Sequence, residues 1–172
     1  FPTCQGKNYI LVLKYIFYLK KDFFKRRMEM ELDLEQMFER KNMEILHPAG
    51  WAPSRGYANG VAVDAGRMVF IAGQVGWDAQ QHFRSADLVP QFEQALNNVL
   101  EVLAEAGGKP EQICRMTAYC TEKDDYLAHR RELGRIWKKL MGKHYPAMSM
   151  IFVSDLLDHP GKIELEATAV IP

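Results

Sequence analysis

The sequence lacks an excess of charge of either sign, is poor in cysteine and has no long uninterrupted apolar run. Its 172 residues include 22 basic and 22 acidic side chains, so the formal net charge is zero. Nucleic acids and anionic membranes attract proteins through clustered Lys and Arg, and a balanced charge does not favour such partners. We therefore expect neither a nucleic-acid partner nor a membrane partner.

The few cysteines limit the kinds of site that the chain can build. Cys4, Cys114 and Cys120 are odd in number and have no CxxC spacing, which favours neither a disulfide framework nor a zinc site. The five histidines also lack the spacing of metal ligands. We expect no metal and no cofactor, and the free thiols indicate a reducing, cytoplasmic location.

Residues 1–29 differ in composition from the rest of the chain. The apolar run Tyr9–Leu19 is interrupted by a lysine and is shorter than the roughly 20 residues that span a bilayer. Its basic residues follow the apolar part, which is unlike a secretory signal. Two interpretations remain: a basic amphipathic segment on a membrane surface, or an artificial or upstream-translated extension, with Met28 or Met30 as the natural start.

The remaining chain is predicted to be a linker followed by one domain. Residues 30–46 are acidic with spaced apolar positions and predict a linker with a short helix, and residues 47–172 form the domain. Val61–Asp64 and Arg67–Val75 are separated by Ala65 and Gly66, which predicts a hairpin. The second of these strands is apolar almost throughout, so we expect it to be buried on both faces.

Two helices are predicted from the spacing of apolar residues. Between Asp87 and Ala106 these residues recur at intervals of three, four and seven, with Asp87 as N-cap and Gly107 and Gly108 as the stop. A second helix is expected over residues 124–141, closed by Gly142. Further strands are predicted at Ile113–Thr121, Tyr145–Val153 and Lys162–Val170. The order β-β-α-β-α-β-β indicates an α+β domain with both helices on one sheet face.

Four segments carry a resemblance to a known family: Ile71-Ala72-Gly73-Gln74, the helix Gln91–Gly107, Tyr145-Pro146-Ala147, and Ile163–Ala169. In their order and spacing, the chain from about Met43 to Pro172 resembles the RidA/YjgF family of enamine and imine deaminases. The resemblance implies a chorismate-mutase-like protomer and a homotrimer that binds a small-molecule metabolite. Its clefts are expected between adjacent subunits, with the strand Tyr145–Val153 in one wall.

The chain departs from the family pattern at several cleft positions. The archetypal deaminases place an arginine directly after the Pro-Ala, where it is thought to grip the substrate carboxylate, and here that position is Met148. A thioether offers neither charge nor hydrogen-bond donor. Ala72 stands where the family usually has a small hydroxyl residue, Met150 where it often has a cysteine, and Arg130 where it commonly has an asparagine. Tyr57, the Gly73 backbone and Glu164 are retained.

Each candidate residue has a structural alternative. Glu164 is the carboxylate that the resemblance assigns to holding or activating water, but Glu164, Glu166 and Thr168 also form one alternating face that solvent would suit. Arg130 is either an anion anchor across the cleft or part of a solvated helix face, and Arg55 is a looser candidate.

The sulfur-containing residues near the expected cleft also have two interpretations. Met148, Met150 and Phe152 share a strand face, which forms either an adaptable cleft wall or core and trimer packing. Cys120 is a structural thiol rather than a nucleophile unless a histidine lies beside it.

These residues support two functional hypotheses from different classes. The first is hydrolysis of an imine or enamine other than 2-iminopropanoate through water held near Glu164. The second is a non-catalytic metabolite-binding or regulatory trimer. A ribonuclease role, attributed to some relatives, ranks last because the sequence has no basic stripe with interleaved aromatics.

Overall fold

The structure, a computed structural model, describes residues 43–172. The predictions for residues 1–29 and for residues 30–42 lie outside that range. In chain order the elements are β1 (Met43–Leu46), β2 (Gly60–Val63), β3 (Arg67–Val75), α1 (Leu88–Glu105), a short 3-10 helix (Pro110–Gln112), β4 (Ile113–Cys120), α2 (Lys123–Met141), β5 (Ala147–Phe152) and β6 (Ile163–Ile171).

A four-stranded mixed sheet in the order β3-β6-β4-β5 forms the centre of the domain. β6 runs antiparallel to both β3 and β4, whereas β5 runs parallel to β4. α1 and α2 pack on one face of this sheet, and the hydrophobic core lies between the helices and that face. The predicted α+β protomer with two helices on one sheet face is confirmed. We call the two surfaces of the sheet the helix-side face and the open face.

The helices form where the apolar spacing predicts them. In α1 the residues at intervals of three and four are buried against the sheet: Leu88, Phe92, Ala95, Leu96, Val99 and Leu103. α1 ends before Gly107, whose φ of 78° is a conformation that glycine adopts without strain. α2 ends at Gly142, with φ of 64°. Asp87 does stand at the N-cap of α1, although its side chain makes no capping hydrogen bond to the described residues.

The predicted hairpin between β2 and β3 is wrong. β2 pairs antiparallel with β1, Leu46 opposite Gly60 and Met43 opposite Val63, in a separate two-stranded sheet. β3 pairs instead with β6. At Ala65 and Gly66, where the sequence predicts a tight turn, the chain has a bend, and the strands on its two sides belong to different sheets. Met43–Leu46, for which the sequence predicts linker or helix, supplies the partner of β2.

β3 is also not buried on both faces. Ile71 is buried on the helix-side face, whereas Met68 and Phe70 are 57% and 73% exposed on the open face. Its apolar composition predicts two covered faces, but both helices lie on the same side of the sheet. The open face of the described protomer is therefore bordered at its β3 edge by large apolar side chains. None of the helices within residues 43–172 is long and apolar enough to cross a lipid bilayer.

Candidate functional site

The sheet separates the predicted site residues into two groups. Glu164 alternates along β6 with the buried Ile163 and Leu165, so its side chain lies on the open face. Met148 and Met150 pair with the buried Met116 and Ala118 of β4 and lie on the helix-side face. Within one protomer the predicted residues therefore do not form a single site.

On the open face, Glu164 lies against the backbone of Gly73. A Cβ at Gly73 would overlap with Oε1 of Glu164 and would crowd the rest of its carboxyl group. The two residues meet at a β-bulge, because Ile71 pairs with Ala167 and Gln74 with Leu165, which leaves β3 one residue longer than β6 over this interval. Because residue 73 is a glycine, the carboxylate can approach its backbone closely. The two predicted site residues Gly73 and Glu164 therefore lie next to each other.

The surroundings of Glu164 disfavour its ionised form. Burial raises the pKa of its carboxyl group above the usual value, and the nearby negative charges of Asp158 and Glu166 add to the effect. A carboxylate with a raised pKa is a stronger base once it is ionised, which suits a group that accepts a proton from water near neutral pH. The alternative of an ordinary solvated strand carboxylate does not account for the packing against Gly73.

A cavity of about 330 Å³ opens on the open face beside this pair, and we call it the open-face cavity. Eight residues of β3, β4 and β6 line it: Phe70, Ile71, Ala72, Arg115, Thr117, Glu166, Ala167 and Thr168. Ala72, one of the predicted site residues, is among them. The hydroxyl of Tyr119 donates a hydrogen bond of 3.3 Å to Oε1 of Glu166, which holds that carboxylate on the sheet surface.

A second cavity, of about 250 Å³, lies between α2 and β5, and we call it the helix-side groove. Ten of the described residues line it: Gly56, Phe92, Tyr126, Arg130, Leu133, Gly134, Trp137, Tyr145, Met148 and Met150. Met148 and Met150 also pack against the hydrophobic core. The two methionines thus line the groove and also contact the core.

Aromatic side chains fix the wall of the groove. The rings of Trp137 and Tyr145 are stacked, with centroids 5.8 Å apart and planes 9° apart. Nε1 of Trp137 donates to the carbonyl of His144 at 3.0 Å, so the indole has a polar partner and a fixed orientation. The groove is therefore lined both by a rigid aromatic pair and by the more adaptable methionines of β5.

Tyr57 lines neither cavity in the described protomer. It is 44% exposed, next to Ala58, which pairs in parallel with Ala147 at the outer edge of β5. The amide of Ala58 donates to the carbonyl of Pro146 at 3.0 Å, which ties this segment to the start of β5. Tyr57 is thus close to the groove in the chain, since Gly56 lines it, and its ring remains free for another contact.

Two polar side chains of α1 hold the loops around the Glu164 end of the sheet. Gln91 is 1% exposed, and its Nε2 donates to the carbonyls of Ser85 at 3.0 Å and Pro160 at 2.9 Å, while its Oε1 accepts from the amide of Lys162 at 2.7 Å. Asn98 donates to two carbonyls at the end of β3. These contacts fix the residues that precede Glu164 and the strand end that follows Gly73.

The remaining candidates do not join either cavity. Cys120 is fully buried, and burial raises the pKa of its thiol, so a nucleophilic role has no structural support. Arg55 is exposed and lines neither cavity. Within residues 43–172 no three histidine, cysteine, aspartate or glutamate side chains are grouped as metal ligands would be.

Sequence reasoning missed two contributors to the open face. Tyr119 was not singled out, although it shares the alternation of Arg115 and Thr117 along β4 and so could have been assigned to the same face. Asp158 lies in the loop between β5 and β6 and adds negative charge near Glu164. No local pattern in the sequence marks that loop residue as a neighbour of the carboxylate.

Comparison with known proteins gives a consistent result. The family model described as Endoribonuclease L-PSP matches residues 49–171. The goat 2-iminobutanoate/2-iminopropanoate deaminase is 30% identical over 124 residues, which cover 72% of this chain and 83% of the relative.

Two solved structures extend the comparison to the fold. YyfB of Yersinia pestis, from the conserved Rid family, has 33% identity and a TM-score of 0.68, over 76% of this chain and 99% of its own. Escherichia coli TdcF with bound serine has 28% identity and a TM-score of 0.54, over 75% and 99%. The chain therefore belongs to the Endoribonuclease L-PSP family, which is the RidA/YjgF family that the sequence resembles.

Proposed function

We propose that the protein hydrolyses the C=N bond of an imine, or of the imine tautomer of an enamine, other than 2-iminopropanoate. The observation that carries the proposal is the carboxylate of Glu164, held against the Gly73 backbone with a raised pKa. The goat relative is named as a deaminase of 2-iminobutanoate and 2-iminopropanoate, which supports the reaction class.

The chemistry requires one group that moves protons. Water adds to the carbon of the protonated C=N group while one of its protons passes to Glu164, which gives a neutral carbinolamine. Glu164 then returns that proton to the nitrogen and the C–N bond breaks. Ammonia leaves, and the hydroxyl proton passes to Glu164 as the carbonyl forms, which restores the proton that the next imine needs. An imine and water are thus converted to a carbonyl compound and ammonia, without change in oxidation state and without need of a cofactor.

The position of Met148 supports a substrate other than 2-iminopropanoate. A small imino acid depends on its carboxylate for binding, and Met148 occupies the position at which the resemblance places the arginine that grips it. The groove beside Met148 is instead largely apolar and aromatic. We propose a substrate that gains binding free energy from an apolar side chain.

The proposed cleft is formed between copies of a homotrimer. Glu164 and Gly73 lie on the open face, and Met148 and Met150 on the helix-side face, so one copy contributes the carboxylate and its neighbour contributes the groove. The large apolar side chains exposed on β3, Met68 and Phe70, support burial of the open face by another copy. Analytical ultracentrifugation should give a mass three times that of the chain, and a monomer would contradict this assembly.

A second candidate is a non-catalytic metabolite-binding trimer. Met148 has no charge to position a substrate carboxylate for reaction, whereas binding alone does not require such positioning. RNA is a poorer candidate despite the name of the family model. Among the described residues, Arg115 is the one basic residue that lines the open-face cavity and Arg130 the one in the helix-side groove, whereas an RNA-binding channel needs several.

An assay across imines tests the proposal. An amino-acid oxidase generates imines in situ from alanine, leucine and phenylalanine, and semicarbazide traps the imine that remains. The protein should accelerate the decay of the larger imines and leave 2-iminopropanoate nearly unaffected. Glu164→Gln should lower the rate by about 100-fold or more, as expected for loss of a general base.

Glu166→Gln is the matched control. It removes a carboxylate from the same face of β6. That carboxylate accepts a hydrogen bond from Tyr119. The variant should keep most of the rate. Equal rates in wild type and Glu164→Gln would remove Glu164 from the mechanism, and no acceleration by either protein, with binding retained, would favour the non-catalytic candidate.

A further inference from the structure

The helix-side groove carries a single charge. Of the described residues that line it, Arg130 alone is ionised at neutral pH, and the others are aromatic, aliphatic, thioether or glycine. A cation beside an otherwise uncharged surface favours a ligand with one anionic group and an apolar body. The groove is thus complementary to an amphipathic monoanion. It is less suited to a metabolite that is polar throughout.

Arg130 is available to such a ligand. It is exposed on α2, and it forms no salt bridge with any residue between 43 and 172. A guanidinium presents a planar fork that pairs with a carboxylate through two parallel hydrogen bonds. An arginine at a groove with no ion-pair partner among the described residues is therefore available to a carboxylate.

The other residues that line the groove suit the apolar part of the ligand. Met148 and Met150 are unbranched thioethers that adapt to ligands of different shape, and Trp137 is held rigidly by its stack on Tyr145. The volume of about 250 Å³ is slightly below the range of about 300–1,000 Å³ that is usual for ligand pockets, so the groove suits a small ligand. This volume fits a metabolite with a branched or aromatic side chain.

We infer that Arg130 anchors the substrate carboxylate and that the groove accepts 2-imino acids with branched or aromatic side chains. The inference rests on the proposed function for the imine group, because Glu164 lies outside the groove. The binding step itself needs only the groove. The carboxylate contacts α2, and the apolar side chain lies along Met148 and Met150.

Binding is measured with 4-methylpentanoate, which has a carboxylate and a branched body but no reactive group. Trp137 in the groove wall supplies a fluorescence signal, and calorimetry gives an independent affinity. Arg130→Ala should weaken binding by about 10- to 100-fold, the usual effect of losing a charged hydrogen bond. Arg130→Lys keeps the charge but lacks the fork, so its affinity should lie between those of the wild type and Arg130→Ala.

Two controls isolate the carboxylate contact. Arg131→Ala removes the adjacent arginine of α2, which is exposed and does not line the groove, and it should leave the affinity unchanged. The neutral 4-methylpentanamide should bind to the wild type more weakly than the acid does. To Arg130→Ala, the amide and the acid should bind with equal affinity. Alanine favours helix, so the variant should fold normally.

The outcomes separate this inference from the proposed function. Unchanged affinity in Arg130→Ala, equal binding of acid and amide, or no binding of the acid up to about 10 mM would each overturn the role of Arg130. Arg130-dependent binding without hydrolysis of any imine would retain the anchor and overturn the proposed reaction. Hydrolysis of the leucine-derived imine with equal kcat/KM in wild type and Arg130→Ala would overturn the anchor and retain the reaction.

Discussion

The carboxylate of Glu164 fills the space that a side chain on Gly73 would need. Gly73→Ala should therefore displace the carboxylate. The displaced atoms are the end of a flexible side chain, so the fold should lose little stability.

We expect Gly73→Ala to lower kcat for imine hydrolysis at least tenfold, with the melting temperature changed by only a few degrees. Kinetics and thermal unfolding of the same preparation check both parts. If the alanine variant kept wild-type activity, the position of the carboxylate against Gly73 would have no part in catalysis.

The raised pKa of Glu164 gives a pH-dependent effect on stability. A carboxyl group whose pKa is higher in the folded state stabilises the fold while protonated, and that contribution is lost as pH rises through the folded pKa. Glutamine mimics the protonated form. Glu164→Gln should thus match the wild type below about pH 4 and melt higher at neutral pH, by no more than about 3 °C for a partly exposed group.

The rate of imine hydrolysis should increase with pH, because only ionised Glu164 accepts a proton from water. The imine rate should rise with pH through the raised pKa while the stability contribution falls. Glu101→Gln, on the exposed surface of α1, serves as a control and should not reproduce the pH-dependent melting difference. A melting difference that is constant from acid to neutral pH would contradict the link to titration of Glu164.

Met148→Arg should introduce activity on 2-iminopropanoate. The new guanidinium offers a bidentate partner for the carboxylate of that small substrate, so kcat/KM for it should rise by about 10- to 100-fold. Part of Met148 packs against the core, and the variant should lose about 1–2 kcal/mol of unfolding free energy. Met148→Lys, with a charge but no fork, should gain less, and no gain in either variant would show that this position does not control selection between imines.

Gln91→Ala should destabilise the domain by about 2–4 kcal/mol. Gln91 is buried and makes three hydrogen bonds to backbone groups of two loops, and its removal leaves those groups without their partners. Because Lys162 lies two residues before Glu164, kcat should also fall while the affinity for 4-methylpentanoate is retained.

Urea unfolding and the kinetic split between kcat and KM test the role of Gln91. Gln94→Ala on the same helix removes a single hydrogen bond, to Asn98, and should cost less than about 1.5 kcal/mol. Equal losses of stability in the two variants would argue against a special role of Gln91 in holding the loops.

The elements were predictable because their signals are local. Apolar spacing and the glycines after each helix determine α1 and α2 to within a residue or so, and alternation assigns Glu164 and Met148 each to one strand face. The pairing of β2 with β1 was not predictable in this way. A turn signal identifies a reversal of the chain, whereas the choice between β1 and β3 as partner depends on how distant segments pack.

The site was less predictable than the fold for the same reason. The family resemblance identified Gly73 and Glu164, but their mutual contact depends on the register between β3 and β6, which no residue type encodes alone. The pairing of Tyr119 with Glu166 likewise joins two strands that are far apart in sequence. Burial on the open face was overestimated for β3, since composition does not reveal on which side both helices pack.

The β-bulge between Ile71 and Gln74 makes the site depend on the number of residues in β3 as well as on their identity. Deletion of one residue there would restore unbroken alternation and remove the position at which backbone and carboxylate meet. A change in the length of β3 should therefore disrupt this contact even when every side chain that lines the cavities is kept.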